Sequence, residues 1–396
     1  SILAKLNLVR LLSAKEFASM HVRHLRRWIT FAAALTTALA AVAEPPWLAR
    51  STTGMVASDS PEASRIGAQV LADGGNAFDA AIATSFALAV TRPQSTGLGG
   101  GGFLVAYIAD TRQCVVLDFR ESAPAAATPE RYARLRAENG DGPPVSVYGG
   151  NAVGVPGQVA GLVEIHRRYA TQPWADLIAP AVELCDRGFV LDEHFLAALA
   201  QARDDLRRWP RLRADSRAMA EWLDSIDARP GARLKRPALK TALRSLARDG
   251  AAAFYDGPIA EAIVHAVQHA GGALTRDDLR HYRVREREPL RYAWNGYDLV
   301  LMPPPSSGGV CIAETLGILD VLAEPYGGVR ALRRSKDYAP MLITALRHAF
   351  ADRARWLGDP DAADIPVALL TSREHARVLA GKRIRSNEDY GTSQLP

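Results

Sequence analysis

The sequence predicts a helix-rich α+β protein, and three observations carry that reading. Between Gly157 and Gly272 five stretches (VAGLVEIHRRYA, ADLIAPAVELCDRG, EHFLAALAQARDDL, PALKTALRSLARDG and IAEAIVHAVQHAGG) place apolar residues at three- and four-residue spacing, as a helix with one buried face requires. Phe103–Ala109 and Cys114–Phe119 are short apolar runs separated by the polar stretch from Asp110 to Gln113, which is the pattern of a hairpin in a buried sheet. Strand character returns only after the helical middle, at Tyr297–Met302, ahead of the loop Pro303-Pro304-Pro305-Ser306-Ser307-Gly308-Gly309.

The first helix begins at Ser60-Pro61-Glu62, which supplies an N-cap, a first-turn proline and an early acid; it runs to Asp73, where Gly74-Gly75 stop it. The next, Asn76–Val90, is apolar on nearly every side. Such a helix belongs between layers, and Pro93 forbids its continuation. If this chain is half a fold, that helix is expected to leave a surface for a partner to cover. Val310–Leu322 and Lys336–Leu357 read as later helices, and the tail from Ser386 to Pro396 reads as a mobile segment.

Composition agrees with a folded chain. Of 396 residues 48% are hydrophobic and 23% charged, with 24 prolines and 31 glycines, which excludes disordered and collagen-like classes. Three cysteines, Cys114, Cys185 and Cys311, are too few for a disulfide framework. The net charge of +5 is local: residues 1–43 hold six of the 48 Lys/Arg and one of the 43 Asp/Glu, leaving 42 of each downstream. A nucleic-acid partner would need a basic surplus in the folded part, so none is expected.

From Met20 the chain has Arg23, Arg26 and Arg27, an apolar run from Trp28 to about Ala40, and the small residues Ala41-Val42-Ala43. This is the three-part pattern of a secretory signal peptide over residues 20–43, cleaved after Ala43. Its apolar run is shorter than the ~20 residues a membrane span needs, so no stable anchor is expected and the mature region 44–396 is periplasmic or secreted. Residues 1–19 read as an upstream extension of uncertain origin.

Several motifs point to nothing further. GLGGGG at Gly97–Gly102 fits G-x-G-x-x-G formally, but a helix precedes it and a strand follows, the reverse of a dinucleotide site; a close backbone approach explains the glycines better. His265 and His269 lack the adjacent Glu of a metalloprotease helix, and Asp359, Asp361 and Asp364 in GDPDAAD lack a calcium loop's glycine and Glu, leaving a solvated acidic turn. No G-x-S-x-G occurs, and Ser306-Ser307 has no visible base. No metal or cofactor is expected. Arg120, at the end of the Cys114–Phe119 strand, could meet a carboxylate with its two-pronged donor geometry, or simply pair with Glu121.

The block from Asp59 to Pro124, with GNAVGVPGQVAGL (Gly150–Leu162), FYDGPIAEAIV (Phe254–Val264), PPPSSGGV (Pro303–Val310) and ADRARWLGDPD (Ala351–Asp361), resembles the large subunit of γ-glutamyltranspeptidases, or glutathione hydrolases. The resemblance implies an N-terminal nucleophile hydrolase fold, a four-layer αββα sandwich completed by a small subunit that the precursor releases by cutting itself. It implies a nucleophilic Thr at the small subunit's new N-terminus, an acyl-enzyme, and transfer of the γ-glutamyl group of glutathione to water, an amino acid or a peptide. LDFRESAP places Arg120 at the family's arginine for the substrate α-carboxylate.

The sequence departs from the family at one point. The Thr-Thr-His-x-Ser-type start of a small subunit is absent, and Thr392 and Ser393 do not fit it. The expectation is therefore one subunit of a heterodimer or a truncated precursor, inactive alone. Two other readings are a glutaryl- or cephalosporin-type acylase of the same fold and a non-catalytic relic without its small subunit.

Overall fold

The computed structural model describes residues 48–382. The signal-peptide pattern at 20–43, the extension 1–19 and the tail from Ser386 lie outside the described residues. The described residues fall in two units, 48–55 and 56–382. In the first, residues 48–55 are exposed and carry no regular secondary structure.

In the second unit α1 (Pro61–Ala72) opens where the Ser-Pro-Glu signal places it, with Ser60 Oγ accepting from the Ala63 N–H at 3.3 Å. Gly74, at φ 91°, turns the chain where a side chain would be strained. Helix α2 (Ala77–Thr91) has a reciprocal cap: Asn76 Oδ1 accepts from Phe78 and Asp79 N–H (2.8 and 3.0 Å), while Asp79 Oδ2 accepts from Asn76 N–H (2.8 Å). Such a cap is worth about 1 kcal/mol.

Strand β1 (Gly102–Ile108) pairs antiparallel with β2 (Gln113–Phe119), the hairpin the two apolar runs predict, in the register Gly102↔Phe119 to Ile108↔Gln113. After α3 (Pro129–Glu138) come α4 (Gln158–Tyr169), α5 (Trp174–Arg187), the two-residue β3 (Phe189–Val190), α6 (Glu193–Arg208), β4 (Arg233–Leu234), α7 (Pro237–Asp249) and α8 (Pro258–His269). Then β5 (Arg285–Glu286) adds to β2, giving the sheet order β1-β2-β5. Strands β6 (Leu290–Trp294) and β7 (Tyr297–Leu301) form a separate hairpin, and α10 (Tyr338–Trp356) and α11 (Arg373–Ala380) both pack on α9 (Gly308–Ala323). The turn between β6 and β7 is Asn295-Gly296, both at positive φ, a hairpin signal that the sequence reading passed over when it took only the second strand.

The main core joins α1, α2, β2, α4, α5 and α7 through fully buried side chains such as Phe86, Leu117, Ile178, Leu184, Leu243 and Phe254. Each large apolar side chain so buried contributes roughly 1.5–3 kcal/mol relative to exposure. Helix α2 is largely covered within this chain, since Ala80, Ile82, Phe86, Ala87 and Val90 are buried and α1, α4 and α5 pack on it; what it leaves open is one stripe of small side chains, Ala77, Ala81 and Ser85, with Leu88 half-buried. Large exposed apolar side chains lie elsewhere, among them Val105 and Tyr107 on β1, whose outer edge has no partner strand among the described residues, and Ile343, Leu346 and Phe350 along one stripe of α10. No described helix is long and apolar enough to cross a membrane.

Candidate active site

Arg120 is the first residue past β2, and its backbone is held on both sides. Its N–H donates to Asp118 Oδ1 at 3.1 Å, and its carbonyl accepts from the Tyr282 hydroxyl at 2.8 Å. Two residues on, Ser122 exchanges backbone hydrogen bonds with Val155 at 2.7 and 3.3 Å. The backbone is thus tied down while the Arg120 side chain stays exposed.

That side chain borders a cavity of about 890 Å³, walled also by Glu121, His281, Ser307 and Arg353. Five arginines line it, and four are already engaged. Arg283 donates to the carbonyls of Arg280 and Tyr282 (2.7 Å each), Arg285 pairs with Asp361 (3.0 Å), Arg287 with Asp118 and Asp361, and Arg353 Nε donates to Ser307 Oγ (2.9 Å). Among the described residues the Arg120 guanidinium alone of the five has no partner, and the alternative Arg120–Glu121 pair does not form. An unpaired guanidinium at a cavity wall is a ready partner for an anionic ligand.

Behind Arg120 stands an ion-pair relay. Asp118, nearly buried, accepts from Arg287 Nε and Nη2 at 3.1 and 3.0 Å, and Arg287 reaches Asp361 with both Nη atoms at 2.9 and 2.7 Å. Asp361 and then burial act oppositely on Arg287, the carboxylates winning, so its proton is held more tightly than usual; the Arg287 hydrogen bond holds the Asp361 carboxyl below its ordinary value. This corrects the reading of GDPDAAD as a merely solvated turn: Asp361 anchors the arginine that anchors Asp118. Burial pushes the Tyr282 phenol up, keeping it a neutral donor to Arg120.

The glycine run is a packing device, as expected, but only in its second half. A Cβ on Gly101 would lie 2.6 Å from the Phe119 carbonyl oxygen and 2.8 Å from the Glu121 nitrogen, whereas Gly97 and Gly99 face open space. The Gly100 carbonyl accepts from Gly157 and Gln158 N–H at 2.9 Å, tying the run to the start of α4. His265 and His269 stack on α8 with ring centroids 6.3 Å apart and gather no third metal-ligating group among the described residues. A set that the sequence reading missed is Glu314, Asp352 and His375, one each from α9, α10 and α11, whose ligating atoms lie within 4.8 Å of one another. No local spacing signals it, since three separate helices supply it.

Comparison with solved structures defines the class. A γ-glutamyltranspeptidase from Pseudomonas nitroreducens complexed with L-DON superposes with TM-score 0.72 at 34% identity, covering 84% of this chain and 95% of that one. A cephalosporin acylase from Bacillus halodurans gives 0.71 at 26%, covering 86% and 62%. The fold is that of the N-terminal nucleophile hydrolases. The Gamma-glutamyltranspeptidase family model matches residues 63–394, and a glutathione hydrolase proenzyme from Pseudomonas aeruginosa is 37% identical over 349 residues, 88% of this chain and 60% of the relative. An acylase ACY 1 proenzyme from Pseudomonas sp. strain V22 is 38% identical over 82% of this chain and 57% of its own length. The chain belongs to the γ-glutamyltranspeptidase family, and it spans about 60% of the length of these curated relatives.

Proposed function

We propose that this chain is the large-subunit part, residues 44–396, of a secreted or periplasmic γ-glutamyltransferase, or glutathione hydrolase, whose small subunit comes from the same precursor. The chemistry is attack by the small subunit's N-terminal Thr on the γ-glutamyl amide, with its own α-amine as general base, and transfer of the acyl group to water, an amino acid or a peptide. The carrying observation is Arg120: fixed at both backbone ends, unpaired, and turned to the cavity, it suits a substrate α-carboxylate held by paired charge-assisted hydrogen bonds.

Two observations support a two-chain enzyme. The chain matches 95% of one solved γ-glutamyltranspeptidase chain but only 60% of a proenzyme. The open edge of β1 and the apolar stripe of α10 are surfaces that a second chain would cover. Export rests on the pattern of residues 20–43. The acylase relatives, at similar identity, favour a second reading, a glutaryl-type acylase for which Arg120 matters less.

The test is to express the coding sequence through any in-frame continuation past Pro396, resolve the product on a denaturing gel, and compare γ-glutamyl with glutaryl anilides. Two chains that prefer the γ-glutamyl substrate are expected. A glutaryl preference selects the acylase, and an immediate stop codon with no co-purifying small chain selects the non-catalytic relic.

A further inference from the structure

Outside the cavity, among the described residues, a buried ligating atom without a partner lies where α9, α10 and α11 meet. Glu314 of α9 is 2% exposed, and its Oε1 has no hydrogen-bond partner. That atom points at His375 Nε2 of α11, 3.8 Å away, and the same nitrogen lies 2.6 Å from Asp352 Oδ2 of α10. A buried carboxyl oxygen without a donor costs stability unless something fills the gap. Here two carboxylates and an imidazole converge on one point.

We propose that Glu314, Asp352 and His375 form a binding site for one divalent transition-metal cation of the Zn²⁺ or Mn²⁺ kind. The three atoms lie within 4.8 Å of one another, and a metal with bonds of about 2.0–2.2 Å draws such ligands together with side-chain adjustments well under a helix displacement. Charge favours a dication, since two carboxylates balance it in a place where unpaired charge is costly. The imidazole disfavours Ca²⁺ and Mg²⁺, which take oxygen ligands. His375 and Asp352 side chains are 17% and 14% exposed, so the ion has a path in and a position left for water. The ion would pin α11, the last described helix, to α9 and α10. It has no place in the proposed glutamyl transfer, and its test is independent of that reading.

The experiment uses the full chain with whatever subunit purifies with it, stripped with EDTA, dialysed against Zn²⁺ or Mn²⁺, and assayed for bound metal per chain and for thermal midpoint. Near-stoichiometric retention and a raised midpoint are expected, with both lost in His375→Ala and in the isosteric Glu314→Gln, and both kept in His265→Ala. Glu314→Gln preserves the packing volume, and circular dichroism establishes that it folds. Retention in folded Glu314→Gln equal to that of the parent overturns the site, as does a parent chain that keeps no ion. Either outcome leaves the cluster as a carboxyl pair sharing a proton.

Discussion

Arg287 joins Asp118, the penultimate residue of β2, to Asp361, in the loop after α10, through four hydrogen bonds of 2.7–3.1 Å. Asp118 in turn accepts from the Arg120 N–H, so Arg287 and Asp361 act through one carboxylate on the backbone at Arg120.

Arg287→Ala strands the nearly buried Asp118 charge and is expected to cost on the order of 3 kcal/mol. Arg287→Lys keeps the charge but cannot serve both carboxylates, and falls between. Asp361→Asn is milder, about 1 kcal/mol, because that side chain is 37% exposed and water screens it. Denaturant titration of the three variants checks the order; Asp361→Asn as damaging as Arg287→Ala would show that Asp118 is not the group that matters.

The glycine run supplies a paired test. Gly101→Ala drives a Cβ into the backbone at Phe119 and Glu121 on either side of Arg120, and is expected to destabilise by about 1–3 kcal/mol. Gly99→Ala meets nothing within 4 Å in this chain and should be nearly neutral in it. Thermal midpoints of the two variants decide; equal losses would locate the constraint outside this chain.

Asp79 governs the acid limb of stability. It is fully buried at the start of α2, and burial opposes its charge, but hydrogen bonds from the Thr171 hydroxyl (2.6 Å) and from the N–H groups of Asn76, Gln172 and Thr171 outweigh burial and lower its pKa below the ordinary 3.8. The unfolded chain therefore takes up this proton first as pH falls. Its contribution is whole above 3.8 and is lost as pH drops through the lowered folded value. Asp79→Asn should cost on the order of 3 kcal/mol at neutral pH and flatten the acid limb. Stability curves at pH 7 and pH 3 that stay parallel for parent and variant would refute this.

Much of this was legible in the sequence because it is local. Ser60-Pro61-Glu62 starts a helix, another starts at Asn76, and the two apolar runs around Asp110–Gln113 pair as a hairpin, as expected. That Arg120 directly follows a strand was legible in the sequence. Its freedom from Glu121 was not, because it depends on which cations of the cavity wall find partners, and those partners, Asp361 for Arg285 and Arg287 above all, come from distant loops. How far this chain itself covers α2 was not legible for the same reason: an all-round apolar helix signals burial but does not say by which chain. Glu314, Asp352 and His375 share a point only after three helices pack, and no spacing in the sequence records it.

The last prediction concerns Arg120 in the complete enzyme. If its guanidinium holds the substrate α-carboxylate, Arg120→Lys keeps the charge and loses the fork, and Arg120→Gln loses both. Hydrogen bonds to a charged group are worth about 1.5–3 kcal/mol, so kcat/KM for a γ-glutamyl anilide should fall roughly tenfold to several hundredfold in Arg120→Gln. The loss should fall mainly on KM, because the carboxylate is held alike in the ground and transition states. Precursor cleavage should survive, since no free glutamyl substrate takes part in it, and the backbone clamps from Asp118 and Tyr282 use no side-chain atom of Arg120. Kinetics beside a processing gel separate the cases. Unchanged efficiency in a processed enzyme removes Arg120 from the site, and a precursor that fails to cleave assigns it to the structure instead.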